Sequence, residues 1–262
     1  MTLASSFTNE HPKRLSQSVI VPAYNESFRI ERSLRSIMGY LAGQDYPSEV
    51  LLIDDGSTDD TAAVARSLMS EFPTLRVHSI AHAGKAAAVL FGLAHANGEL
   101  MLFTDADLAT PITYLAEFRE AVAQGADVVI GSREGKTASR IGEPVFRHMM
   151  GRGFNAMVRI LLLPEIHDTQ CGFKLFTARA RDEILPRLLL YRVQSGDFEQ
   201  PKVTAFDVEL LVVARRLGLN TEVIPVTWTF GERSKVNPIG DTITNFSDVA
   251  HVKWNDLRGR YR

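Results

Sequence analysis

A single cysteine, Cys171, occurs among 262 residues, so no intrachain disulfide can form, and the pattern fits a reducing compartment. No stretch approaches the roughly 20 consecutive apolar residues that a membrane-spanning helix requires. Residues 1–17 are polar, lack the apolar run of a secretory leader, and are expected to be poorly ordered. The formal net charge of −2 gives no global attraction to nucleic acid. Internal repeats and low-complexity tracts are also missing. What is left is a globular chain, long enough for its own core, that would work at a membrane only from the surface.

Charge is uneven along the chain. Arg133, Lys136, Arg140, Arg147, Arg152 and Arg159 stand against Glu134 and Glu143 alone, and Lys253, Arg258, Arg260 and Arg262 against Asp256. Within the first of these stretches Phe146, Met149, Met150, Met157, Val158, Leu161 and Leu162 recur at helical spacing. A core-packing helix is the plain reading. The alternative is an interfacial helix that lays its apolar side on a bilayer while arginines meet anionic headgroups.

The first half alternates strand and helix patterns. Ser18-Val19-Ile20-Val21 is β-rich and stops at Pro22, and Val50 to Ile53, Val77 to Ile80, Leu100 to Phe103 and Asp127 to Gly131 repeat the theme between helical stripes. This alternation implies an α/β fold with a doubly wound, mainly parallel sheet. In such sheets ligands bind beyond the carboxyl ends of the strands. After residue 194 the pattern is less regular: 194–202 reads as a loop, 207–217 as a helix and 221–230 as one alternating strand. The expected organisation is one domain over 18–240, a nucleotide-binding half followed by an acceptor-side elaboration, with a basic tail over 241–262.

Three polar clusters end successive strands. In extended backbone, residues i and i+2 project to one side, so Asp105 and Asp107 would repel each other unless a cation sat between them. A hard divalent ion with oxygen ligands, Mg²⁺ or Mn²⁺, suits such a pair and also takes phosphate oxygens. Asp54-Asp55-Gly56-Ser57 offers carboxylates to a nucleobase edge or to ribose hydroxyls, or equally a turn with a helix cap. Pro22-Ala23-Tyr24-Asn25-Glu26 adds an aromatic face and another carboxylate.

Taken along the chain, from Pro22–Glu26 through Asp54–Ser57 to Asp105–Asp107, the clusters resemble the family 2 glycosyltransferases of GT-A fold. Gly84-Lys85, Gly131-Ser132-Arg133, the block Asp168-Thr169-Gln170-Cys171-Gly172-Phe173-Lys174-Leu175-Phe176, Phe206-Asp207-Val208-Glu209-Leu210-Leu211 and Ser234-Lys235 resemble, in particular, the dolichyl-phosphate β-glucosyltransferases. The resemblance implies metal ligation by Asp107, with Asp105 reaching the metal or the ribose. It implies a nucleoside pocket lined by Pro22, Tyr24, Glu26 and Asp55, with Asp54 and Gln170 among the substrate-binding residues and Lys85 on ribose or phosphate. Arg133 and Lys235 would meet the donor diphosphate or an acceptor phosphate.

Asp207 and Glu209 lie two apart on a helix and cannot easily face one substrate. Asp207 is the acceptor-side candidate, its role as a base left open. The expected activity is inverting transfer of glucose from UDP-glucose to a polyprenyl or dolichyl phosphate, by a cytoplasmic protein peripheral on the cytosolic membrane face. Two alternatives stand beside it: transfer to a hydroxyl acceptor with Asp207 as general base, and a nucleotide-sugar-binding module without turnover. No feature of the sequence fixes an oligomeric state.

Overall fold

The computed structural model describes residues 16–191, 205–231 and 238–261, with the side chains of 147 and 238–244 left aside. The loop expected over 194–202, residues 1–15 and Lys235 lie outside the described residues.

Seven strands form the main sheet in the order β3-β2-β1-β4-β7-β5-β8. They are β1 (Gln17–Ala23), β2 (Ser48–Asp54), β3 (Leu75–Ser79), β4 (Leu100–Thr104), β5 (Val128–Ser132), β7 (Phe173–Thr177) and β8 (Thr221–Pro225). A two-stranded ribbon pairs β6 (Ser139–Ile141) with β9 (Thr227–Thr229) in parallel. Between them lie α1 (Ile30–Ala42), α2 (Thr61–Ser67), α3 (Lys85–His95), α4 (Leu115–Ala123), α5 (Val145–Leu161), α6 (Ala178–Ile184), α7 (Phe206–Arg216) and α8 (Pro238–Leu257). The fold is an α/β architecture with a mainly parallel sheet, as expected, and β7 is inserted antiparallel between β4 and β5.

The period of two along each strand divides the core into two faces. Val19, Val21, Val50, Leu52 and Leu102 pack toward α1, α2 and α4, whereas Ile20, Leu51, Ile53, Met101 and Phe103 pack toward α3, α5 and α7. Helices covering both faces explain why the central strands read as unbroken apolar runs. β1 continues through Pro22, which pairs in register with Ile53. β4 pairs only with Gln17 to Ile20, so the missing proline N–H interrupts no bond on that side.

Three segments differ from their expected form. The strand expected over 221–230 breaks at Val226, whose N–H donates to the Ser132 carbonyl, and its halves join separate sheets. β7 carries no strand signal because Lys174 interrupts its apolar run. The basic tail expected over 241–262 is instead largely helix α8: Val249, Val252 and Tyr261 are buried in the core, so the basic side chains occupy the outer part of a packed element.

Glu209 of α7 is fully buried. Its carboxylate accepts the N–H groups of Leu189, Leu190 and Tyr191 at 2.8, 3.0 and 3.2 Å and the Tyr261 hydroxyl at 2.8 Å. Burial and this carboxylate together push the Tyr261 phenol far above its ordinary value. Glu209→Ala strands these donors, so urea unfolding should show a loss of about 3 kcal/mol. A loss below about 1 kcal/mol would contradict this structural role.

Candidate active site

The chain runs outward from β1 through β2 to β3, then returns to place β4 on the other side of β1. This reversal opens a crevice beyond the carboxyl ends of β1 and β4. Tyr24 to Glu26 follow β1, Asp55 follows β2 and Asp105 to Asp107 follow β4.

Asp105 forms an ion pair with Lys85, the first residue of α3, while Asp107 lies 3.6 Å from Arg29 and accepts the Ala109 N–H at 3.0 Å. Arg29 also grips Glu26 at 2.9 Å and so links the end of β1 to the end of β4. Burial, and then the neighbouring Asp105, raise the Asp107 carboxyl above its usual range. Burial opposes the Lys85 charge, but Asp105 and Asp207 more than offset it and raise its pKa. Gly84 precedes Lys85 at φ 90, a conformation that favours glycine. Gly172 is constrained by space: a Cβ there would collide with the Asp105 carboxylate.

Asp54 is buried and accepts the Ser57 N–H at 3.1 Å. Asp55, expected to face a nucleoside, turns instead to the loop before α3. Its oxygens accept the N–H groups of Ala83 and Gly84 at 2.8 and 2.9 Å, and His82 Nδ1 lies 2.8 Å away. The His82 ring stacks on Tyr24 with centroids 4.0 Å apart. The outward aromatic surface is therefore a Tyr–His pair, and Asp55 holds it through the loop. Pro22 is buried within β1.

Beyond the end of β5, Asp168 accepts from Arg133 Nε at 2.7 Å, Nη2 at 2.8 Å and the backbone N–H at 2.9 Å. Despite full burial its carboxyl sits far below the ordinary range, held there by this guanidinium. Arg133, expected on a phosphate, thus has one edge committed to Asp168. Gln170 follows, with its N–H donated to Asp168 at 3.2 Å. Lys174 is completely buried; its ammonium lies 2.7 Å from Asp207 Oδ1 and donates to the Cys171 carbonyl at 2.5 Å. Cys171 is buried, and desolvation pushes its thiol up to about 11, which makes it inert.

Four residues escaped the sequence reading as site components: Arg29, His82, Asp168 and Lys174. Lys174 did leave a signal, because a cation inside the run Phe173 to Phe176 must find a counter-ion if that run is buried. Arg29 and His82 left none that marks them as site residues, since the contacts that bring them to the site, with Asp107 and with Tyr24 and Asp55, come from other strand ends.

Asp105 and Asp107 form an incomplete donor set, and among the described residues no group of three or more His, Cys, Asp or Glu could hold a metal ion. The two carboxylates, hard oxygen donors that already face cationic groups, have the chemistry to hold a divalent ion, which would supply positive charge at this strand end. Together they define a crevice that can hold an aromatic base, a cation and an anionic leaving group.

The glycosyl transferase family 2 model matches residues 18–185. The chain belongs to that family and is a glycosyltransferase. Curated relatives include the dolichyl-phosphate beta-glucosyltransferases of Dictyostelium discoideum, 30% identical over 94% of this chain and 76% of the relative, and of Saccharomyces cerevisiae, 31% identical over 97% and 79%. The glucosyl-3-phosphoglycerate synthase of Mycobacterium tuberculosis, crystallised with Mn²⁺ and UDP-glucose, shares the fold with a TM-score of 0.61. It is 19% identical, over 91% of this chain and 79% of that one. Mannosyl-3-phosphoglycerate synthase from Rubrobacter xylanophilus gives a TM-score of 0.64 at 17% identity, over 94% and 75%.

Proposed function

We propose that the protein transfers glucose, with inversion, from UDP-glucose to a polyprenyl- or dolichyl-type lipid phosphate at the cytosolic face of a membrane, using Mg²⁺ or Mn²⁺. The observation that carries this reading is the convergence of Asp105, Asp107, Lys85 and Arg29 at the crevice between β1 and β4. It is supported by the roughly one-third identity to dolichyl-phosphate beta-glucosyltransferases across most of the chain.

Asp105 and Asp107 would hold the divalent ion, which supplies charge stabilisation for the departing nucleoside diphosphate. Tyr24 and His82 offer the stacking surface for the base, with Pro22, Glu26, Asp54 and Asp55 shaping its pocket. Lys85, which pairs with Asp105, would meet ribose or phosphate. Arg133 and Gln170 belong to the side that receives the acceptor, and the family resemblance gives Lys235 a role on the donor diphosphate or the acceptor phosphate. A phosphate oxygen of the acceptor attacks the anomeric carbon as the bond to UDP breaks, and preorganised cationic groups stabilise the charge that develops.

The Lys174–Asp207 ion pair favours a phosphate acceptor over a hydroxyl. A hydroxyl nucleophile needs a base, and protonating Asp207 would leave the buried Lys174 without its counter-ion. A phosphate monoester, with a second pKa near 6, arrives largely deprotonated. Radiolabelled UDP-glucose should therefore yield label in an organic-extractable lipid in the presence of Mn²⁺. Asp207→Asn should keep transfer within about a hundredfold of wild type, less than the loss expected of a true base deletion. Label entering only hydroxyl acceptors, and lost entirely in Asp207→Asn, would reverse the assignment.

A further inference from the structure

The helix α5 is apolar on two opposite sides. Phe154, Val158 and Leu162 face the core, as expected of such a stripe. Yet its outward side is also apolar: Val145, Phe146, Met149 and Ile160 are exposed, Ile160 by 83%. These positions recur at spacings of three, four and their sums, so they lie along one outer stripe. The sequence had placed Phe146, Met149 and Leu161 with Val158 on one packed side; the backbone separates them. α8 repeats the arrangement. Val249 and Val252 point inward, while Phe246, Trp254 and Leu257 are exposed along a second stripe, Trp254 by 54%.

The two helices run side by side in the same direction. Phe154 meets Phe246 edge to face with centroids 6.4 Å apart, and seven residues further along each helix Lys253 Nζ donates to the Leu161 carbonyl at 2.6 Å. Each outer stripe lies opposite its own buried face, and the two helices that carry them are neighbours. Contiguous apolar exposure on this scale marks a contact surface.

Charge identifies the occupant. α5 contains no acidic residue. In the described part of α8, Asp248 is buried against the Tyr191 hydroxyl and Asp256 is held by Arg216. The cations remain outside: Arg152 and Arg258 are exposed at the edges of the stripes, with Arg258 4.3 Å over the Trp254 ring. We infer that α5 and α8 together form a docking surface for an anionic lipid bilayer, apolar side chains entering the acyl boundary and the flanking arginines meeting headgroup phosphates.

This surface also has a path to the active site. The inner side of α5 carries Asn155, whose side-chain oxygen accepts both the N–H and the hydroxyl of Thr169 at 3.2 Å. Thr169 follows Asp168, which clamps Arg133. One helix therefore touches the bilayer on one side and holds the acceptor-side residues on the other. The inference rests on the lipid-phosphate reading for its purpose, not for its physics.

The test is co-sedimentation of the full chain with vesicles of phosphatidylcholine, alone or mixed with phosphatidylglycerol, with no polyprenyl phosphate present. Binding should be strong only to the mixed vesicles and should weaken with salt. The variant Met149→Gln/Ile160→Gln/Trp254→Gln should lower the partition coefficient about tenfold or more, with an unchanged unfolding midpoint and unchanged transfer to a short-chain, detergent-dispersed polyprenyl phosphate. Wild-type protein left in the supernatant, or a triple variant that binds like wild type, overturns the inference. So does a lipid-free wild-type dimer that the variant splits into monomers, because the face would then be covered by a second copy. Vesicle binding without transfer to the short-chain acceptor would strike the acceptor assignment and leave the docking surface standing.

Discussion

Replacing Asp107 by Asn should reduce sugar transfer by on the order of a thousandfold or more, while leaving the thermal midpoint of the unliganded protein within a few degrees of wild type. Asp107 is engaged by Arg29 at 3.6 Å and by the Ala109 N–H, and neither contact is a buried, fully committed pair. The amide keeps the bond from Ala109, so little stability is lost. Function is more exposed to the change. In the proposed reaction Asp107 would help to hold the divalent ion, and electrostatic groups aimed at developing charge are each worth a hundredfold to a thousandfold or so. Single-turnover transfer across a range of Mn²⁺ concentrations would read the effect. An Asn variant that turns over within tenfold of wild type would remove Asp107 from the proposed machinery.

The largest loss of stability is expected at Asp168. Its carboxylate is fully buried and receives both edge nitrogens of Arg133 together with that residue's backbone N–H. Asp168→Asn leaves a buried guanidinium without its counter-ion, a change that costs about 3–5 kcal/mol. For a chain of this size the thermal midpoint should fall by roughly 10 °C. The dependence on pH follows from the depressed pKa. Because the folded carboxyl ionises far below the unfolded value of about 3.9, its stabilisation is complete at neutral pH. The contribution declines only as the pH falls below about 4 toward the depressed value. Calorimetric scans of wild type and variant should therefore converge at strongly acidic pH and diverge above it. Parallel curves throughout would show that the ion pair contributes nothing.

The candidate site was legible where a residue's meaning depends on its own strand. Asp105 and Asp107 share one strand end, so their proximity was legible, but β4 stops at Thr104 and a turn closed by the Leu108 N–H on the Asp105 carbonyl, not the two-residue period of a strand, sets their directions. Tyr24 and Glu26 follow β1, while Pro22 is its penultimate residue, so their place at this strand end was equally legible. Asp55 shows the limit of this reasoning. Its position after β2 is evident from sequence, but its direction is set by Ala83 and Gly84, backbone donors reached only when the loop before α3 folds back over the strand. Arg133 gives a second case, since its guanidinium is taken by a carboxylate 35 residues away.

By itself the sequence determined the alternation of strands and helices, the order of the polar turns and the family to which they belong. All of these depend on local periodicity and on short motifs within single elements. Only the tertiary structure decided that β7 enters the sheet antiparallel and that Lys174 pairs with Asp207. It also turned Glu209 inward and left the outer sides of α5 and α8 apolar. Those outcomes depend on which distant segments meet, and an apolar side chain is written with the same letter whether its neighbour is core or open surface.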